Sequence, residues 1–354
     1  MTSPTKGFDD EAARSPRDVL EDTARALRSA MLTAVWRQWH QLGAAASAPL
    51  MSSNADDVQT VSHDVVRLVD PEALLHASLA MMHHERRLQD VIADWVATNA
   101  DLLSVQRFRN LRPGDPRAGN DDADIAWLAA VACDLARDVR WKPLMSPSVR
   151  ATPARTMRNV RAHVRAPASL MLRLRLAFGV GVKADVLAVL LAHPDAALSV
   201  RALADETGYT VASVRRAAAD LALARFVGLD RGSPARYRAH REAWSPLLGW
   251  AAGLSVSWSQ WSSLFRAAAA IMFWEESSRD HPLTPYPYAV RARALLREHP
   301  VLTTLADVVL PSEDNDLRAW STAFERSAVT LAAVFRGDVE QSRRGAPVHD
   351  ALGR

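Results

Sequence analysis

Apolar residues recur at intervals of three and four along most of this chain, a period that predicts helices. From Asp18 the stripe Leu20, Ala24, Leu27, Met31 and Val35 predicts an amphipathic helix closing near Trp36 and Trp39. Residues 43–64 are small and polar and read as a loop. Asp70-Pro71-Glu72 reads as a helix start: a capping carboxylate, a proline in the first turn and an acid near the positive helix end. Leu74, Leu75, Leu79 and Met82 continue that helix, and Leu88, Ile92, Trp95 and Val96 predict the next. The run Arg112-Pro113-Gly114-Asp115-Pro116 breaks the pattern before a helix over 124–136. Further along, 184–192, 289–296 and 317–335 read as helices, and Leu254, Trp258, Trp261 and Phe265 suggest one buried helical face.

Residues 198–239 carry a different order. Ser199 is a good N-cap for a helix running from Val200 to about Thr207, with Val200, Leu203 and Ala204 inward. Gly208 stands where that helix must stop, and Thr210 can cap a second helix whose inward stripe is Val211, Val214, Ala218 and Leu221. Then Phe226, Val227 and Leu229, the turn Asp230-Arg231-Gly232-Ser233-Pro234 and Tyr237 predict a short β-hairpin. The 184–192 helix supplies the packing element upstream.

Helix, tight turn, helix and hairpin, with Ala204, Gly208 and Val214 at the spacing of helix-turn-helix proteins, resemble the winged helix-turn-helix of MarR-like and ArsR-like bacterial transcriptional regulators. The resemblance covers about residues 170–240. It implies that the second helix enters the major groove of double-stranded DNA and that the protein acts as a homodimer on paired half-sites. Thr210, Ser213, Arg215 and Arg216 lie on the first two turns of that helix, where arginine can bond guanine bidentately and a hydroxyl can serve bases or phosphates. Arg231, Arg236 and Arg238 fall on the wing, a place for minor-groove or phosphate contact. Winged helices also mediate protein contacts, so an adaptor or antitoxin-like partner protein is the alternative.

Charge adds a second argument. No aspartate or glutamate occurs between Val139 and Ala184, a stretch holding ten lysines and arginines. Such a block favours phosphate without sequence preference. Within it Arg155, Arg158, Arg161 and Arg165 keep helical spacing and are the phosphate-contact candidates outside the hairpin and helices. Only three lysines occur in the chain, so the arginine excess also reflects a general bias of composition.

The remaining chemistry is thin. One cysteine, Cys133 in an apolar run, excludes an intramolecular disulfide and a cysteine-based zinc site. Gly179-Val180-Gly181-Val182-Lys183 lacks the Walker spacing, and His83-His84-Glu85 lacks the gap of a zincin. No catalytic residue, metal ligand or cofactor motif suggests itself, so the expectation is no enzyme. The polar, acidic first residues and the lack of a long apolar run suggest a cytoplasmic chain without a membrane span.

The reading is thus mainly α, with a helical N-terminal domain over 17–145 and a basic linker or helix over 146–168. A central winged helix-turn-helix with a small hairpin wing follows over 169–243, then a tryptophan-rich helical domain over 244–336. Residues 1–16 are expected to be disordered and 337–354 flexible. The helical flanks are left to dimerise, or to meet a protein partner or small-molecule effector.

Overall fold

A computed structural model of the chain describes residues 14–44, 65–112, 122–151, 160–194, 196–251, 253–312 and 316–338. Its elements begin with α1 (Pro16–Gln41), β1 (Val65–Arg67), α2 (Pro71–Met81), α3 (Arg87–Asn99), α4 (Val105–Asn110) and α5 (Asp122–Ala130). There follow α6 (Leu170–Phe178), α7 (Val182–Leu191), β2 (Leu198–Ser199), α8 (Val200–Thr207), α9 (Val211–Leu223), β3 (Gly228–Asp230) and β4 (Arg236–Arg238). The last are α10 (Arg241–Leu248), β5 (Ser255–Ser257), α11 (Trp261–Ser277), α12 (Pro285–Glu298), α13 (Pro300–Ala306) and α14 (Leu317–Arg336). The fold is mainly helical with little strand, and no described helix is long and apolar enough to cross a membrane. The expectations for residues 1–13, for 45–64 and for the tail from 339 lie outside the described residues.

Packing divides the described chain into two units, at Met31/Leu32 and at Arg266/Ala267. These divisions fall inside α1 and α11. Residues 169–243 share a unit with 32–145, so no boundary of packing separates them along the expected linker over 146–168.

In the larger unit α6 to α10 enclose an apolar core of Leu187, Leu190, Leu203, Val214, Leu221, Tyr237 and Trp244, which Leu68, Val256 and Trp258 extend. Two small sheets border it. β2, β4 and β3 form an antiparallel sheet in that order, with Leu198 and Leu229 both opposite Tyr237. β1 and β5 pair in parallel, Val66 opposite Val256. That second sheet corrects the helical reading of Leu254, Trp258, Trp261 and Phe265. Strand β5 occupies 255–257, so only Trp261 and Phe265 share a helix, where their rings stack at 5.5 Å. The β-branched Val256 and its serine neighbours suit a strand better than the spacing suggested.

Caps fix the ends. The side chains of Asp70, Ser104, Ser199 and Thr210 accept from the backbone N–H three residues on, at 3.1 to 3.3 Å. Gly208 closes α8 at φ 72°, in the left-handed region that glycine enters without strain.

The smaller unit holds the first half of α1, the second half of α11, and α12, α13 and α14. Leu20, Ala24, Leu27 and Met31 are buried as their stripe predicts. Trp274, Tyr288 and Phe324 meet edge to face or tilted at 5.2 to 6.1 Å. Arg28 reaches Glu275 and Glu276 at 3.4 and 3.3 Å.

Candidate nucleic-acid interface

Helix α9 buries Val214, Ala217, Ala218 and Leu221 against the core. Val211, expected on that stripe, is instead 36% exposed, because the first residue of the helix has already turned outward beside its cap. Opposite the buried stripe Ala212, Arg215, Arg216 and Ala219 stand exposed. They recur at three- and four-residue spacing and so share one face. The two alanines keep that face shallow, and the two arginines project from it. Among the described residues neither arginine has an ion-pair partner or hydrogen-bond acceptor, so both are available to an outside anion.

Thr210 and Ser213 are also exposed, but their hydroxyls serve each other. Thr210 Oγ1 donates to Ser213 Oγ at 2.9 Å and accepts from its N–H at 3.3 Å. Beside them a cleft of about 370 Å3 separates Ser213, Arg216 and Asp220 from the loop Gly179–Lys183. Lys183 spans it to Asp220 at 2.8 Å.

On the hairpin, Arg231 lies exposed at the tip, while Arg236 and Arg238 are half-buried. Arg238 is answered by Asp230 across the two strands at 3.1 Å. Among the described residues the hairpin thus offers one free cation at its tip and two at its base that are partly committed.

The phosphate-contact candidates of the basic block change more. Arg155 and Arg158 lie outside the described residues. Arg161 and Arg165 are exposed, but no helix carries them: 160–166 is extended chain and turn. Asn99 sets that course, its amide donating to Val160 O at 2.7 Å and its oxygen accepting from Ala162 N at 3.0 Å. Backbone groups bound in this way are lost to a helical ladder, and Pro167 disfavours helix at the residue before it. The acid-free window is also answered by acids from elsewhere. Arg140 pairs with Asp138, Lys183 with Asp220, and Arg175 with Glu72 and Asp185.

Arg175 belongs to an arrangement the sequence did not disclose. Asp70, Glu72, Arg107, Arg175, Asp185 and the Tyr209 hydroxyl form one buried network behind the turn between α8 and α9. Arg107 donates to both Asp70 oxygens and to Glu72 Oε2. Arg175 donates in parallel pairs to Glu72 and to Asp185, at 2.6 to 2.9 Å. Both guanidiniums and the Glu72 and Asp185 side chains are fully buried. Three acids face two guanidiniums, so neutral donors complete the set: Ala73 N–H on Asp70, Ser104 N–H on Glu72 and Tyr209 O–H on Asp185. Burial opposes the charge on Glu72, yet Arg175 and Arg107 hold its carboxyl down at about 2. Burial pushes the Tyr209 phenol up, with Asp185 adding to it, so it stays a donor.

The network grips the turn itself. Arg107 Nε donates to Thr207 O at 2.7 Å, Asn110 to Gly208 O at 3.0 Å, and Ser104 Oγ meets Tyr209 Oη at 3.0 Å. Helix α4, which periodicity did not predict, is therefore the buttress of the turn between α8 and α9. The available signals were Asp185 inside the apolar run ADVLAVLLA and Glu72 in the first turn of the largely apolar, almost wholly buried α2.

His76 stacks on Phe108 at 4.0 Å and bonds its carbonyl at 2.9 Å, and His83 meets Asp124 at 3.0 Å. Among the described residues no group of three or more His, Cys, Asp or Glu side chains is placed to hold a metal ion. Compared with family models, curated proteins and solved structures, the chain matches none.

Proposed function

We propose that the protein binds double-stranded DNA through α9 and the β3–β4 hairpin and regulates transcription as a winged helix-turn-helix protein. The observation carrying this reading is the outer face of α9: Arg215 and Arg216 stand on a shallow alanine surface without partners among the described residues. The element order supports it, since α7, β2, α8, α9 and the hairpin follow the helix, strand, helix, helix and wing of that module. So does the sheet order β2-β4-β3, which leaves the hairpin at one edge, beside the end of α9. In this reading Arg215 and Arg216 reach base edges, Thr210 shapes the helix start, and Arg231 meets the backbone or minor groove. The buried network fixes the angle at which α9 leaves the turn.

Recovery of genomic DNA fragments bound by the full chain tests the reading. The expected result is enrichment of fragments sharing a short sequence, lost in Arg215→Ala/Arg216→Ala. Two copies of that sequence about 34–36 Å apart would report a dimer. Recovery of fragments without sequence in common, unchanged by the double substitution, would overturn the proposal.

A further inference from the structure

The turn that carries α9 into β3 is ringed by apolar side chains left in water. Phe178 at the end of α6, Phe226 in the turn and Trp244 on α10 form one aromatic cluster, their ring centroids 5.5 to 6.2 Å apart. The Trp244 indole N–H donates to Phe226 O at 3.1 Å, and Arg173 donates to Leu248 O at 2.6 Å. These bonds tie α6, the turn and α10 together. Within three residues of the rings stand Leu176 on α6, Leu223 on α9 and Leu247 on α10, 58, 87 and 73% exposed. Phe226 itself is 43% exposed. The four side chains leave roughly 500 Å2 of apolar surface open, the size of the largest patch on a typical monomer and commonly a contact site.

Charge selects the occupant. Arg225 and Glu242 flank the cluster, each within two residues of the bonded pair Phe226 and Trp244, and both are exposed. Among the described residues neither has an ion-pair partner. Arg225 also holds φ at 61°, in the left-handed region where glycine rests without strain and arginine does not. The patch thus carries one unanswered cation and one unanswered anion beside an apolar centre. A nucleic acid or an anionic lipid surface would answer Arg225 and oppose Glu242. A second copy related by a two-fold axis answers both, because residues of an isologous interface meet reciprocally. Area agrees: an apolar centre of roughly 500 Å2 with its polar rim approaches the ~800 Å2 per partner of a standard interface.

We propose that two copies of this chain associate through this face, Leu176, Leu223, Phe226 and Leu247 at its centre and Arg225 of each copy against Glu242 of the other. It places on the helix-turn-helix segment a pairing that the sequence left to the helical flanks. The association itself does not depend on the DNA-binding reading above. Where that reading also holds, Leu223 lies seven residues beyond Arg216, roughly 10 Å along α9, so the first two turns of the helix stay open to DNA.

Sedimentation velocity of the full chain without DNA, from about 1 to 100 μM, tests the surface. The wild type should pass from monomer to dimer within that range. Leu223→Asp/Leu247→Asp should stay monomeric throughout with an unchanged circular dichroism spectrum, since both positions are exposed in the single chain. Arg225→Glu and Glu242→Arg should each weaken association about tenfold, and the two combined in one chain should restore it. Arg225→Gly should weaken association too, although it relieves the backbone. A wild type that remains monomeric to about 100 μM would overturn the proposal, as would a dimer indifferent to both aspartates. Charge exchanges that fail to compensate would overturn the pairing of Arg225 with Glu242. A chain that dimerises in this way and ignores DNA would strike the functional reading and leave the surface standing.

Discussion

Arg107→Met removes the hub of the buried network while keeping most of the side chain's apolar bulk. In the wild type the guanidinium donates to Asp70 twice, to Glu72 once and to the Thr207 carbonyl. After the change Asp70 keeps its bond from Ala73 N, Glu72 keeps Arg175, and the Thr207 carbonyl loses its side-chain donor. Removing one partner of a buried ion pair costs about 3–5 kcal/mol, because the remaining charge stays in a poor solvent. Methionine fills the volume, so the cavity contribution is small beside that figure. The paired change Arg107→Met/Glu72→Gln should cost less than the sum of its parts, with a coupling of about 1–3 kcal/mol. A chain of two units need not unfold in one step, so hydrogen exchange of the amides in α2, α4 and α8 is the appropriate assay. The expected result is faster exchange in all three helices, and in α8 through loss of the Thr207 contact. A loss below about 1 kcal/mol would refute the argument, showing that the network is hydrated and not buried.

Burial holds His76 neutral, with its pKa lowered to about 4 from 6.5. Its stabilising effect is therefore complete above pH about 6.5 and is lost as pH falls towards about 4, over which the unfolded chain takes up the proton first. A stability profile against pH should flatten across that window in His76→Gln. Glu72, held at about 2 against 4.5, adds stability that is complete above pH about 4.5 and falls away towards pH 2. A Glu72→Gln chain should lose that steep acid limb in the same experiment. Gly208→Ala should cost about 1–2 kcal/mol through the left-handed backbone. Its added Cβ also lies 2.5 Å from Leu111 Cδ2. Thermal melting reads this, and an unchanged midpoint would contradict the αL assignment.

What the sequence disclosed divides along physical lines. Ser199, Gly208 and Thr210 mark the ends of α8 and α9 because capping is local: the residue and the group it satisfies lie within four positions. The stripe of α9 was legible for the same reason, apart from Val211 at its first turn. Strand β5 was not, since a three-residue strand leaves no period and its partner β1 lies 190 residues away. The helix expected through Arg161 and Arg165 fails because Asn99, on α3, claims the backbone. The network was hidden for a related reason. Arg175 sits in a window without acids, and its partner Glu72 is 103 residues distant. Basic composition along the chain therefore overstated basic surface in space.

The central claim is that α9 presents Arg215 and Arg216 to DNA. Fluorescence anisotropy of the full chain against a labelled duplex carrying the recovered sequence, at two salt concentrations, measures it most directly. Binding should weaken steeply as salt rises, and Arg215→Ala/Arg216→Ala should cost roughly 2–5 kcal/mol on that duplex. The cost should be much smaller on a scrambled one. Binding that is absent at low salt, or indifferent to both arginines, would contradict the account and return the module to a protein-contact role.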